Sequence, residues 1–279
     1  MRYGFVLPYG DARQTAELAV IAEESGWDAF FVWEPVWGID AWVALTAAAM
    51  RTERIRLGTM LTPLARRKPW DLAGQVATLD NLSGGRVILS VGMGAVHDGW
   101  KAFEADEGLR IRAEKLDEGL DIVAGLWSGD PFTFDGKHYQ VRPTDFHVPP
   151  PPVQRPRVPV WVVGAWPRPK SMRRAARWDG WLPNYLPKDG SEGGIPPVEE
   201  VPRAVEWLRK ERGSLDGYEI VMEGHTPTDD PAAAAEQVRR WADAGVTFWL
   251  EANWGLEPEQ IFEASAARLA AGPPSGHGV

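Results

Sequence analysis

The chain has 279 residues, of which 44% are hydrophobic and 25% charged, an ordinary globular composition with enough apolar material for a large core. Its net charge of −9 argues against a nucleic-acid partner, because the phosphate backbone would be repelled. The chain has no cysteine, which excludes disulfides, thiolate nucleophiles and Cys-ligated metals.

The first residues, MRYGFVLPYG, enter a strand-like run without a basic and apolar leader, and no run of eighteen apolar residues occurs. We therefore expect a cytoplasmic protein with no membrane partner. The last residues, AAGPPSGHGV, are rich in Gly and Pro. They predict a flexible tail at 271–279 after a single domain at 1–270.

Short runs of β-branched and aromatic residues, each bounded by Gly, Pro or Asp, predict eight strands. They are Tyr3–Leu7, Ala29–Trp33, Ile55–Leu61, Val87–Val91, Val160–Val163, Gly180–Leu182, Glu219–Met222 and Thr247–Glu251. Amphipathic helical patterns lie between them, for example at Leu72, Val76 and Leu79. The alternation predicts an α/β fold, a single (β/α)8 TIM barrel. A doubly wound open sheet is the alternative, disfavoured by the count of eight and by the lack of G-x-G-x-x-G after the first strand.

One segment, residues 128–159, interrupts this alternation before the fifth strand and is unusually long and rich in proline. Phe132–Phe134 and His138–Val141, joined by Asp135-Gly136, predict a β-hairpin with a tight turn. The insertion could be a lid, a dimer contact or a surface decoration.

Three blocks of the sequence resemble the luciferase-like family of flavin- and deazaflavin-dependent oxidoreductases. They are IRLGTMLTPLARRKPWDLAGQVATLDNLSGGRVILSVGMG at 55–94, RAEKLDEGLDIVAGLWSGDPFTFDGKHYQV at 112–141 and PPVQRPRVPVWVVGAWPRPKSMRRAARWDGWLPN at 151–184. The resemblance extends from Tyr3 to about Leu269. It implies FMN or coenzyme F-420 as the cofactor, bound at the C-terminal ends of the barrel strands.

The resemblance also implies which strand ends hold the cofactor. At the third strand, a bulge or a non-proline cis peptide would press the backbone against the isoalloxazine ring of the cofactor, and we place it at Thr59-Met60. The alternative is that TMLTP is a buried barrel strand that ends at a proline. At the fourth, Gly92-Met93-Gly94 would let a planar ring approach the backbone. After the fifth, a helix N-terminus would receive the cofactor phosphate. The implied residues there are Val163, Gly164, Ala165, Trp166, Lys170 and Ser171.

The second strand ends at Trp33 and Glu34, where some deazaflavin-using relatives carry an Asp-His pair. We predict Glu34 as the catalytic residue, because a carboxyl flanked by Trp33 and Trp37 could be desolvated enough to hold and transfer a proton. It could equally anchor a loop. Relatives that act on sugar phosphates place an acid just beyond the fourth strand, where this chain has Ala95, which argues against a sugar-phosphate dehydrogenase.

Two other groups of residues are candidates for a metal site and for the substrate pocket. The five histidines have no metal-binding spacing, so we predict no metal site; they are His97, His138, His147, His225 and His277. The residues after the last two strands could line the substrate pocket or only close the barrel. They are Glu223, His225, Glu251, Asn253 and Trp254.

The predicted function is oxidation or reduction of a small organic substrate. With reduced FMN it would be monooxygenation, with a separate reductase as a partner; with F-420 it would be hydride transfer. The alternatives are a non-catalytic flavin-binding barrel and a sugar-phosphate isomerase or aldolase, although no Schiff-base lysine stands at a predicted strand end. The resemblance also implies a homodimer, for which the faces between Trp42 and Leu82 are candidates.

Overall fold

The structure is a computed structural model that describes residues 1–96, 98–146 and 148–274. His97, His147 and residues 275–279 of the predicted tail lie outside the described residues. Its strands are β1 (Arg2–Leu7), β2 (Ala29–Val32), β3 (Arg56–Thr59), β4 (Thr62–Pro63), β5 (Val87–Gly92), β6 (Phe134–Asp135), β7 (Gln140–Val141), β8 (Val160–Trp166), β9 (Gly180–Tyr185), β10 (Glu219–Gly224) and β11 (Phe248–Ala252).

The described residues also form helices that alternate with these strands. They are α1 (Ala12–Glu24), α2 (Ala41–Ala49), α3 (Pro69–Ser83), α4 (Asp98–Lys101), α5 (Leu109–Leu126), α6 (Pro169–Ala176), α7 (Val201–Arg212), α8 (Pro231–Asp243) and α9 (Ile261–Ala270). Short polar side chains start several of them: Asp11 accepts hydrogen bonds from the backbone of Arg13 and Gln14, and Asp40 from the backbone of Trp42 and Val43.

The strands form a closed barrel. All pairings among β1, β2, β3, β5, β8, β9, β10 and β11 are parallel, and the ring closes where β3 pairs with β5, Leu57 opposite Val87 and Gly58 opposite Ile88. The predicted TIM barrel is confirmed. β8 and β9 each run three residues beyond the predicted ends, to Trp166 and Tyr185. The pattern missed these extensions because Gly164 and Pro183 resemble strand ends, although pairing continues through both.

Aromatic side chains fill the N-terminal half of the barrel interior. Phe31 stacks on Trp161 at 5.5 Å between ring centroids, and Trp161 meets Phe248 edge to face at 5.0 Å. Two glycines make room for them: a Cβ on Gly58 would lie 2.8 Å from the Phe31 ring, and one on Gly4 would lie 3.1 Å from it. These rings therefore fill the barrel interior, and in TIM barrels the active site lies at the C-terminal ends of the strands.

The insertion folds onto the outside of the barrel. It begins after α5 and ends at β8, so its base lies at the barrel end opposite the C-terminal mouth. The hairpin prediction is confirmed, but the paired strands are only Phe134–Asp135 and Gln140–Val141. The turn is longer than predicted because Glu118 of α5 accepts hydrogen bonds from the backbone N–H groups of Lys137, His138 and Tyr139, at 2.8 to 3.1 Å.

No helix among the described residues is long and apolar enough to cross a membrane. Apolar side chains between residues 42 and 82 remain exposed, among them Val43, Met50 and Leu82. This exposed apolar surface is compatible with a dimer contact, and the homodimer stays a prediction. The domain limit at residue 270, where α9 ends, likewise stays a prediction.

Replacing Glu118 with Ala should lower the free energy of unfolding by about 1 to 3 kcal/mol, because three backbone donors lose their acceptor. Urea denaturation measures this, and limited proteolysis should cut the variant within 134–141. Glu236→Ala removes an exposed carboxylate whose ion pair, among the described residues, is with exposed Arg239, and it should change stability by less than about 0.5 kcal/mol. Equal stability of the two variants would show that the three hydrogen bonds of Glu118 do not stabilise the protein.

Candidate functional site

Side chains that point inward at the C-terminal ends of the strands define the barrel mouth. Met60, Leu61 and Val163 pack against the interior cluster that contains Phe31, Leu182, Val221 and Leu250. Because side chains alternate along a strand, residues two positions after an interior residue face the mouth. These are Trp33 after Phe31, Asn184 after Leu182 and Glu223 after Val221.

The third strand bulges where it reaches the mouth, as predicted, but the cis bond joins Met60 to Leu61. Our placement at Thr59-Met60 was wrong by one bond. The parallel ladder holds through Met60, since Thr59 pairs with Val32 and the Met60 N–H donates to the Val32 carbonyl at 2.9 Å. The backbone therefore departs only after Met60, and it pairs again as β4, with Thr62 opposite Val91.

Behind the bulge, hydrogen bonds link Glu34 to β3 and β4. The hydroxyls of Thr59 and Thr62 lie 2.8 Å apart, and Thr62 donates to Glu34 Oε2 at 2.6 Å. The same carboxylate accepts from Trp42 Nε1 at 3.1 Å and forms an ion pair with Arg67 at 2.6 Å. Both oxygens of Glu34 are thus occupied by donors. These contacts support the anchoring role, and the catalytic role stays a prediction.

Gly92 and Gly94 are required by close packing at the end of β5. A Cβ on Gly92 would lie 3.0 Å from Val163 and 3.1 Å from Leu61, so three neighbouring strands present an even apolar surface there. Gly94 has φ +76°, and a Cβ on it would lie 2.4 Å from the ring of Trp100. Met93, between them, packs toward the helices.

At the end of β8, side chains point alternately into the barrel and outward toward the helices. Val163 and Ala165 share the inward parity of Trp161, whereas Gly164 faces Trp181 and Met172. Trp166 also faces outward, and its Nε1 donates to Glu200 at 2.8 Å. Only Val163 and Ala165 of this group can therefore contribute side chains to the mouth.

Helix α6 begins directly after β8 and has no side-chain cap. Its first residue is Pro169, and Lys170 and Ser171 follow in the first turn. The Ser171 hydroxyl oxygen accepts from the Ala165 N–H at 2.9 Å, so the hydroxyl can still donate its hydrogen. Lys170 is exposed, and no ion pair joins it to another residue in the described part of the chain. Uncapped N–H groups, a hydroxyl and a cation together suit an anion.

Glu223, at the end of β10, is the second carboxyl at the mouth. Its Oε1 accepts a hydrogen bond from Trp254 Nε1 at 2.5 Å. Burial raises the pKa of the Glu223 carboxyl above its ordinary value, and the Trp254 hydrogen bond opposes the rise. Sequence reasoning left its role open, although an acid two positions after an inward valine was the signal.

Other features lie away from the mouth. A groove of about 1230 Å³ runs along the outside of the barrel between α8 and α9, with Glu251 and Arg268 in its wall. None of the mouth residues lines this groove. Within the described ranges, no cluster of three His, Asp or Glu residues could hold a metal ion.

The barrel, its bulged third strand and its glycine-flanked mouth define an oxidoreductase of the luciferase-like class. Residues 2–274 match the family model described as luciferase-like monooxygenase, and the chain belongs to this family. A curated relative, the F-420-dependent glucose-6-phosphate dehydrogenase of Nocardia farcinica, is 30% identical over 84% of this chain and 71% of its own.

Two solved structures share the fold. A monooxygenase from Streptomyces bottropensis aligns with a TM-score of 0.72 and 22% identity, covering 96% of both chains. The F-420-dependent tetrahydromethanopterin reductase of Methanopyrus kandleri also gives 0.72, with 19% identity and coverage of 95% of this chain and 97% of its own. At these identities the likeness establishes the fold alone.

Replacing Glu34 with Ala should lower the free energy of unfolding by about 1 to 3 kcal/mol, because Thr62, Trp42 and Arg67 lose their common acceptor. Thermal and urea unfolding measure it, with Glu24→Ala on the exposed end of α1 as the control. Glu34→Gln, which keeps one acceptor oxygen, should retain turnover within a few-fold. A loss of turnover at unchanged stability would instead favour the catalytic role.

Gly94→Ala should destabilise the protein by about 1 to 3 kcal/mol and weaken cofactor binding, because the positive φ and the Trp100 ring both oppose a Cβ. Gly74→Ala in α3 is the matched control, since a Cβ there meets nothing within 4 Å. The control should keep or slightly raise the melting temperature. Identical melting temperatures for both variants would refute the packing argument.

Proposed function

We propose that the protein is an F-420-dependent oxidoreductase that transfers a hydride between the deazaflavin and a small organic substrate at the barrel mouth. Membership of the family makes it an enzyme that uses FMN or F-420, and the curated relative with 30% identity is F-420-dependent. The identity with this relative carries the choice of F-420. The even apolar surface formed by Leu61, Gly92 and Val163 at the mouth supports the binding of a planar ring.

The residues present fit such a cofactor. A planar ring requires a flat apolar support, which the bulge and Gly92 provide, since a Cβ at residue 92 would protrude into it. A phosphate requires donors, and the first turn of α6 offers backbone N–H groups, the Ser171 hydroxyl and Lys170. When bound, the deazaflavin supplies a carbon that accepts or donates a hydride.

The chain's own residues orient the reaction and keep it dry. The carboxylate of Glu34 fixes β4 through Thr62 and the following loop through Arg67, so the bulge presents Met60 and Leu61 to the mouth. The aromatic plug of Phe31, Trp161 and Phe248 closes the barrel beneath. Exclusion of water from this half strengthens the electrostatic interactions around the reacting atoms.

A sugar phosphate is not the proposed substrate, although the relative's name gives glucose 6-phosphate. Beyond β5, where an acid would assist such a substrate, this chain has exposed Ala95. The mouth is instead lined by Trp33, Asn184 and Glu223. We therefore propose a small uncharged organic molecule.

Titration of the purified protein with F-420 and with oxidised and reduced FMN, followed by fluorescence, tests the proposal. F-420 should bind at least tenfold more tightly than either form of FMN. A preference for reduced FMN would indicate a monooxygenase with a separate reductase, and binding of neither would refute the cofactor assignment.

Lys170→Met and Ser171→Ala should each weaken F-420 binding roughly three- to thirtyfold, because each removes a phosphate donor. Neither should affect a deazaflavin that lacks its phosphate. Lys210→Met, in the last turn of α7 at the opposite end of the barrel, is the control for charge. If Lys210→Met weakens binding as much as Lys170→Met does, the effect is one of net charge and the phosphate site is wrong.

A further inference from the structure

Glu223 and an aromatic corner beside it form a part of the mouth that the cofactor residues do not include. Glu223 is paired with Leu250 of β11 and follows Val221, an interior residue, by two positions. The next residue, Gly224, faces Trp249 on the outer side of the sheet, where a Cβ would lie 2.5 Å from the indole ring. The alternation therefore directs the Glu223 side chain into the barrel.

The two carboxyls of the mouth differ in their contacts. Glu34 is bound by three side-chain donors, including the guanidinium of Arg67. In the described part of the chain, Glu223 has one hydrogen-bond donor, the neutral indole N–H of Trp254, on one oxygen. Among the residues that the structure describes, none forms an ion pair with Glu223. Its second oxygen therefore has no competing partner and can meet a substrate.

The strands packed on β10 bring no charge to this carboxyl. β9 contributes Leu182 and Asn184, and β11 contributes Leu250 and Ala252. The nearest charged group in sequence on β11, Glu251, points away from the mouth to Thr226 and Arg268.

Two other titratable groups border the site. His225 lies 3.1 Å from Glu251 and is half exposed, and Tyr9 belongs to the aromatic corner. Burial without a cation raises the pKa of Glu223, so its carboxyl keeps a proton to higher pH than an exposed glutamate. A carboxyl that keeps its proton to higher pH can donate that proton or a hydrogen bond to a substrate.

A chain of three aromatic rings begins at Glu223. Trp254, its hydrogen-bond donor, meets Trp33 edge to face at 6.2 Å, and Trp33 meets Tyr9 edge to face at 5.4 Å. Trp254 and Tyr9 are partly exposed at 41% and 42%, so both rings present surface to a ligand. Such a corner binds an apolar or planar body and gives nothing to balance a phosphate.

Resting on the proposed function, we propose that Glu223 is the catalytic acid–base of the reaction and that Tyr9, Trp33 and Trp254 bind an uncharged substrate with an alcohol or carbonyl group. In the oxidative direction the carbinol C–H bond breaks and its hydride, with two electrons, passes to the oxidised deazaflavin. The hydroxyl O–H bond breaks and its proton passes to the Glu223 carboxylate, leaving a carbonyl. In the reductive direction the protonated carboxyl returns the proton to the oxygen.

The test compares wild type and Glu223→Gln, with Glu236→Gln on the exposed face of α8 as the control variant that should match wild type. Cyclohexanone and cyclohexanol are the uncharged probes, and glucose 6-phosphate is the charged comparison. Quenching of tryptophan fluorescence without cofactor should show saturable binding of both cyclic probes and none of the sugar phosphate. Trp254→Phe should weaken that binding at least fivefold. Failure of either cyclic probe to bind or turn over would overturn the substrate assignment.

The role of Glu223 is tested separately from cofactor binding. Glu223→Gln should bind F-420 within twofold of wild type, yet lose roughly 100-fold or more in hydride transfer, the usual contribution of a positioned acid or base. The rate of ketone reduction by the wild type should fall as pH rises through the pKa of Glu223. This decrease should be absent from the pH profile of Glu223→Gln. In the cofactor-free protein, the pH dependence of tryptophan fluorescence that arises at Trp254 should also disappear in Glu223→Gln.

Two outcomes separate the claims. If wild type fails to bind F-420 but keeps the Glu223-dependent fluorescence titration, the proposed function fails and the proton-holding carboxyl stands. If F-420 binds and Glu223→Gln keeps its rate within threefold or its pH profile unchanged, Glu223 is not the acid–base.

Discussion

The closure of the barrel between β3 and β5 is the constraint on which the rest of the site depends. Only Leu57 and Gly58 pair with β5 before the third strand bulges, and the strand pairs with β5 again at Thr62. The bulge presents Met60 and Leu61 to the mouth, opposite Gly92. Because Glu34 fixes the far side of the bulge through Thr62, a carboxylate behind the bulge sets the shape of the proposed cofactor surface.

The two glutamates of this barrel, Glu34 and Glu223, differ in their hydrogen-bond partners and are therefore suited to different roles. Glu34 accepts from a guanidinium, an indole and a hydroxyl, and these three donors hold the side chain in place as an anchor. Glu223 has one neutral donor and apolar neighbours, an arrangement that favours the protonated acid. An acid with a raised pKa beside open aromatic surface is suited to chemistry on an uncharged substrate.

The sequence predicted the architecture well, because eight alternating units leave few ways to bury their apolar faces. Family resemblance located the bulge, but one bond too early, since the number of residues that stay in a parallel ladder depends on hydrogen bonds that no pattern displays. Glu34 was recognised from its position at a strand end, whereas its partner Arg67 is 33 residues away in the chain. The sequence spacing could place Glu223 at the mouth, two positions after an inward valine, but which of the two acids is anchored depends on tertiary contacts that no sequence pattern displays.

A crystal structure of the protein soaked with F-420 tests the central claim most directly. The deazaflavin ring should rest on Leu61, Gly92 and Val163. Its phosphate should lie at the first turn of α6, and Glu223 should be open on the substrate side. A ring bound in the outer groove between α8 and α9, or a mouth that stays empty at saturating F-420, would contradict it.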